Sequence, residues 1–133
     1  MKMIIGGACQ GKLEYAVRLT GYRKEDFADG GCCGLEEISR VRGIHNFHLY
    51  IRRYLEKEEN WQILVKELAE KNPELVIISN ELGYGVVPCD PSDRRWREAA
   101  GRVCTELAKR SSLVIRVVCG IGMILKDETD GSH

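Results

Sequence analysis

No stretch of this chain stays apolar for long. Its longest apolar runs, Leu75–Ser79 and Leu113–Gly122, fall far short of the ~20 residues that a membrane-spanning helix needs. There is no surplus of charge, because 20 Lys and Arg are matched by 20 Asp and Glu. The basic footprint of a nucleic-acid binder is therefore missing, and neither a membrane nor a nucleic acid is expected as partner. The six cysteines include no C-x-x-C pair, and the three histidines do not fall at zinc spacing with them, which excludes the common structural zinc modules. The adjacent Cys32-Cys33 is poor geometry for a disulfide. Cys104 and Cys119 sit in apolar patterns, where a thiol behaves as a small hydrophobe. No signal peptide opens the sequence, since Lys2 and Met3-Ile4-Ile5 run at once into Gly6, and the expected compartment is the cytoplasm.

A chain of 133 residues suits one domain with a single core. The expected domain is 1–126, with a disordered polar tail at 127–133. Met3-Ile4-Ile5 reads as a buried strand. Leu13, Ala16, Val17 and Thr20 then have helical spacing, stopped by Gly21. Phe27-Ala28-Asp29 reads as a short strand, Gly30–Gly34 as a loop and Leu35–Val41 as a weak helix. Ile44, Phe47, His48, Ile51 and Leu55 fall on one face of a helix expected from Ile44 to about Glu56. A further helix carries Trp61, Leu64, Val65 and Leu68, and Asn72-Pro73 ends it, because proline disfavours helical geometry in the residue before it. Leu75-Val76-Ile77-Ile78 is apolar without alternation, as in a parallel strand buried on both faces, and Asn80–Gly85 follows as a loop. Asp90 and Pro91 open a helix as cap and first residue. Leu113–Cys119 and Met123–Leu125 read as a strand pair joined through Gly120-Ile121-Gly122. Strands alternating with helices in this way predict a three-layer α/β sheet.

The run Gly6-Gly7-Ala8-Cys9-Gln10-Gly11-Lys12 fits the phosphate-loop pattern G-x-x-x-x-G-K-[ST] through its lysine. Glycines let successive N–H groups turn onto an anion, and the following helix adds its dipole. Lys12 would bridge the outer phosphates. Leu13 stands where the pattern has the hydroxyl that binds magnesium, so metal positioning should suffer more than phosphate binding. The alternative is a glycine-rich turn that binds nothing. Asp29, Asn80 and Glu81 stand at or just after the ends of strands, where open α/β sheets gather their ligands. Asp29 and Glu81 are the candidate magnesium carboxylates and, with Lys12, the candidate catalytic groups. Asp29 is equally a turn residue before Gly30.

The segment Ser79-Asn80-Glu81-Leu82-Gly83-Tyr84-Gly85-Val86-Val87-Pro88 resembles the N-E-V-G-x-G-I-V-P motif of the adenosylcobinamide kinase/adenosylcobinamide-phosphate guanylyltransferases of cobalamin biosynthesis. Arg94–Val103 is similar to that family's R-x-F-R-D-x-x-G-R helix, and Leu113–Lys126 to its closing V-V-x-G strand pair. Gly6–Lys12 is similar to its G-G-A-R-S-G-K-S loop, apart from variable positions and the final serine. The resemblance implies a P-loop NTPase (RecA-like) fold with a mostly parallel sheet and a C-terminal antiparallel strand pair. It also implies GTP or ATP with Mg2+, a corrinoid alcohol as phosphoryl acceptor, and a homo-oligomer resembling a trimer. Members transfer GMP through a histidine in an H-R-x-x-R motif, and no such motif stands here. The missing length falls between the P-loop helix and Asn46, and Cys104 replaces an asparagine. His45 and His48 are accordingly read as helix-facing structural residues, with guanylylation as the rival. Arg94, Arg95, Arg97 and Arg102 either meet phosphates or form a solvated helix face.

Overall fold

The computed structural model describes residues 1–8, 10–82 and 91–129. Six strands form one sheet in the order β2-β3-β4-β1-β5-β6, where β1 is Lys2–Gly6, β2 Phe27–Asp29, β3 Gly43–His45, β4 Val76–Asn80, β5 Leu113–Val118 and β6 Ile121–Asp127. The first five are parallel, and β6 returns antiparallel to β5. The helices are α1 (Lys12–Thr20), α2 (Phe47–Leu55), α3 (Trp61–Lys71) and α4 (Pro91–Arg110). None of the described helices is long and apolar enough to cross a membrane.

Side chains alternate across a strand, so β1 and β4 feed two cores. Ile4, Val76, Ile78, Ile115 and Val117 pack with Ala16 of α1 on one face. Met3, Ile77 and Val114 face the other, where α2, α3 and α4 supply Phe47, Ile51, Leu64, Leu68, Val103 and Leu107. Each such buried side chain is worth about 1.5–3 kcal/mol. The fold is thus the expected three-layer P-loop architecture, with α1 on one face of the sheet and three helices on the other.

Several boundaries differ from the sequence reading. Ile44 belongs to β3 rather than to a helix; it pairs with Ala28 on one side and Ile77 on the other. The helical spacing of Ile44 and Phe47 misled because both are fully buried, one under each rule. Asn46, in left-handed geometry (φ 54°), breaks the strand from α2. The weak helix at 35–41 is a 3-10 turn over Leu35–Ser39. Asn80 closes β4 instead of opening a loop. The β5–β6 connection is a two-residue turn of Cys119 and Gly120, both at positive φ (52° and 76°), the geometry that suits tight hairpins. Ile121 therefore starts β6, and Cys119 is exposed at the turn, not buried as a hydrophobe. The strand runs to Asp127, where a polar tail was expected to begin. The proposed cap Asp90 lies outside the described residues.

Candidate functional site

The chain leaves β1 at Gly6, and a Cβ there would stand 2.5 Å from the carbonyl oxygen of Val117. Only glycine lets β1 and β5 meet so closely where the loop departs. At the other end of the loop Gly11 is left-handed (φ 79°) as the residue before α1, which again favours glycine. Between them Gln10 fastens the loop to the β5–β6 turn: its side-chain Oε1 accepts the Cys119 N–H at 2.6 Å and its carbonyl accepts the Gly120 N–H at 2.9 Å. Cys9 lies outside the described residues.

Lys12, the first residue of α1, is buried, and its Nζ donates to the Gly7 carbonyl. A cavity of about 290 Å³ opens here, lined by Ala8, Gln10, Gly11, Lys12, Leu13 and Asn80 together with Glu14, His45, Asn46 and Ile78. The sheet places Asn80 there directly, because it is the parallel partner of Gly6. An ammonium group, the N-terminus of a nine-residue helix and strand-end amides converging on one hollow suit an anion. His45 and Asn46 were not foreseen in this role. Recognising β3 would have revealed them, since its carboxyl end opens on the same side as those of β1 and β4.

The two candidate carboxylates are placed differently. Asp29 does not line this cavity. Its Oδ1 accepts the Gly31 N–H at 2.8 Å and the Asn46 side-chain amide at 3.0 Å, and these bonds hold its pKa below the usual carboxylate range. It sits behind Asn46 and orients it. Glu81 donates its own N–H to the Gly6 carbonyl at 2.8 Å, but its side chain lines a neighbouring groove of about 710 Å³ that shares Asn80 and is walled mainly by β1, α4, β5 and β6. There it meets Arg116 in a forked pair, Nε to Oε1 at 2.8 Å and Nη2 to Oε2 at 3.3 Å. Arg116 was missed because it is 35 residues from Glu81 in sequence and carries no motif.

Magnesium needs hard oxygen donors, carboxylates above all. Leu13 offers hydrocarbon, both Glu81 oxygens face a guanidinium, and Asp29 is engaged behind Asn46. No cluster of three or more His, Cys, Asp or Glu among the described residues could hold a metal ion. Glu14, at the cavity, is exposed and faces Lys24 at 3.7 Å, so the donor set among the described residues does not fit a dedicated magnesium site.

His48 is buried on α2. Its Nδ1 accepts the Asn80 N–H at 3.2 Å, and its carbonyl accepts the Trp96 indole N–H at 2.7 Å. The imidazole stacks on Trp96 with centroids 6.5 Å apart, and Arg52 lies over the indole at 4.9 Å. Burial first, and then the Lys12 charge, push the His48 pKa down, so the ring is neutral and structural. Of the four arginines on α4, Arg94, Arg95 and Arg102 are exposed, and Arg102 pairs with Glu98 at 3.1 Å. Arg97 lines the larger groove and lies 3.3 Å from Asp93. Cys104 also lines that groove, and burial pushes its thiol up to about 11, which makes it a poor nucleophile.

Residues 43–125 match the family model described as cobinamide kinase / cobinamide phosphate guanyltransferase. The chain is 36% identical over 69 residues to the bifunctional adenosylcobalamin biosynthesis protein CobU of Salmonella typhimurium, covering 52% of this chain and 38% of that protein. It is 42% identical over 52 residues to the CobU protein of Escherichia coli (39% and 29% covered), and 36% identical over 67 residues to CobP of Pseudomonas aeruginosa (50% and 39%). The matched stretch thus spans less than two fifths of each relative's length. The family match begins after the glycine loop, so the case for that loop rests on its own geometry.

Proposed function

Because the chain belongs to the cobinamide kinase / cobinamide phosphate guanyltransferase family, we propose that it binds the phosphates of GTP or ATP on the loop between β1 and α1. The observation that carries this reading is the convergence of Gly11, the buried Lys12 and Asn80 on one hollow at the carboxyl ends of β1 and β4. That is where ligands bind in open parallel sheets. Lys12 neutralises the outer phosphates, the loop N–H groups donate to the inner one, and Asn46 and His45 complete the wall. The reading for the family's chemistry is phosphoryl transfer to the alcohol of a cobinamide-like acceptor, without guanylyl transfer through histidine. The pairing of Glu81 with Arg116 and of Asp29 with Asn46 favours the rival, a nucleotide-binding protein that does not turn over. The exposed apolar row Ile121, Met123, Ile124 and Leu125 on β6 supports self-association, with the trimer that the family likeness suggests as the assembly to look for by light scattering.

Calorimetry with GTP and ATP tests the binding. Lys12→Ala is expected to weaken it at least tenfold, which corresponds to about 1.4 kcal/mol. Wild-type protein that binds neither nucleotide refutes the proposal. Incubation with adenosylcobinamide and terminally labelled GTP then separates kinase from binder, since only the kinase moves label to the corrinoid.

A further inference from the structure

The pair between Glu81 and Arg116 ties up a strand-end carboxylate that stands next to Asn80, beside the phosphate hollow rather than in it. It is forked, with two guanidinium nitrogens on two carboxylate oxygens, the geometry in which arginine binds carboxylate most strongly. Glu81 is also fixed at its backbone by the bond to Gly6, so the side chain starts from a rigid strand end. Leu13 offers the hollow no hydroxyl donor, Asp29 is spent on Gly31 and Asn46, and Glu14, which lines the hollow, is exposed and faces Lys24 at 3.7 Å. Lys12 and the α1 N-terminus line the cavity with positive charge.

Resting on the phosphate-binding reading, we infer that this site takes a di- or triphosphate as the free anion, without a divalent metal, and that Arg116 makes this possible by neutralising Glu81. A metal in a phosphate site does two things: it offsets the phosphate charge and bridges that charge to protein oxygens. Here, among the described residues, each nearby carboxylate already has a partner: Glu14 faces Lys24, Glu81 faces Arg116 and Asp29 faces Asn46. With Glu81 cancelled, the local field already favours the anion. Neither Arg116 nor Glu81 lines the phosphate hollow, so Arg116 is a positioning residue that acts through the charge of Glu81 beside Asn80. Magnesium in solution competes with the cradle for the phosphate oxygens.

The test is calorimetry of GTP, ATP and inorganic tripolyphosphate, each in EDTA and in excess Mg2+. The tripolyphosphate arm shows whether the cradle or the base carries affinity. The expected result is that Mg2+ leaves the dissociation constant unchanged within about threefold or weakens it. In Arg116→Leu the freed Glu81 repels the phosphates, so binding in EDTA weakens about tenfold and Mg2+ restores it. Glu81→Gln, which removes the charge without needing the arginine, keeps wild-type metal independence and serves if Arg116→Leu does not fold. Tightening of wild-type binding by Mg2+ of tenfold or more overturns the inference while leaving nucleotide binding intact. Absence of binding under both conditions overturns both.

Discussion

His48 offers the sharpest check on how the site is supported. The residue is 6% exposed and its imidazole gives the Asn80 N–H its acceptor at 3.2 Å, so it fixes the strand end that walls the hollow beside Lys12. His48→Ala leaves that N–H unpaired, a loss of about 1–2 kcal/mol, and strips a buried ring worth about 2 kcal/mol. A net loss of about 3–4 kcal/mol is expected. For a chain of this length, with an unfolding entropy of roughly 2.1 cal/mol/K per residue, this lowers the melting temperature by about 10–15 °C. His48→Asn restores an acceptor at similar reach and should cost about 1 kcal/mol.

The pH dependence separates this role from any other. Because burial and Lys12 depress the folded-state pKa, the unfolded chain takes up a proton first as pH falls below about 6.5. Wild type therefore loses stability from there down to the folded pKa, and no more below it. The asparagine variant has no such group. Urea denaturation at about pH 7.5 and pH 5.5 should thus show the gap between wild type and His48→Asn shrinking at the lower pH. A gap that stays constant or widens would refute the neutral, buried histidine, as would guanylate covalently bound to His48 after incubation with GTP.

Gly6→Ala sets a methyl 2.5 Å from the Val117 carbonyl and must push β1 and β5 apart; a loss of about 2–3 kcal/mol is expected by denaturant melts, and a neutral effect would contradict the close strand contact. Leu13→Ser should leave nucleotide affinity in EDTA within about threefold and still show no tightening by Mg2+ in calorimetry, because Glu81 stays paired; strong metal dependence from this change alone would show that leucine was the sole defect. Asn72 donates its amide to the Ile38 and Val41 carbonyls at 2.9 and 2.8 Å, tying the end of α3 to the chain entering β3. Asn72→Asp turns both contacts repulsive and should cost about 3 kcal/mol by thermal melts, against about 2 for Asn72→Ala; an aspartate no worse than alanine would mean the carbonyls find other partners.

Much of the site was written locally. The apolar run Leu75–Ile78 announced a central strand, and its burial on both faces is what the sheet order delivers. Gly6, Gly11 and Lys12 sat between a strand and an amphipathic helix, so their geometry followed from the pattern. β3 did not show itself, because three residues are too few to display a period, and Ile44 also satisfied the helical spacing of α2.

The sequence by itself determined which side chains are apolar and where a glycine loop joins the first strand to its helix, since these depend on neighbours within a few turns. Only the tertiary structure decided what the charged groups at the strand ends do. Glu81 and Asp29 both stand where a metal carboxylate should. One is turned toward Arg116 on the second strand across the sheet, and the other is placed behind Asn46 at the end of β3. Charge pairing acts through space, and only the paired strands bring these partners within reach.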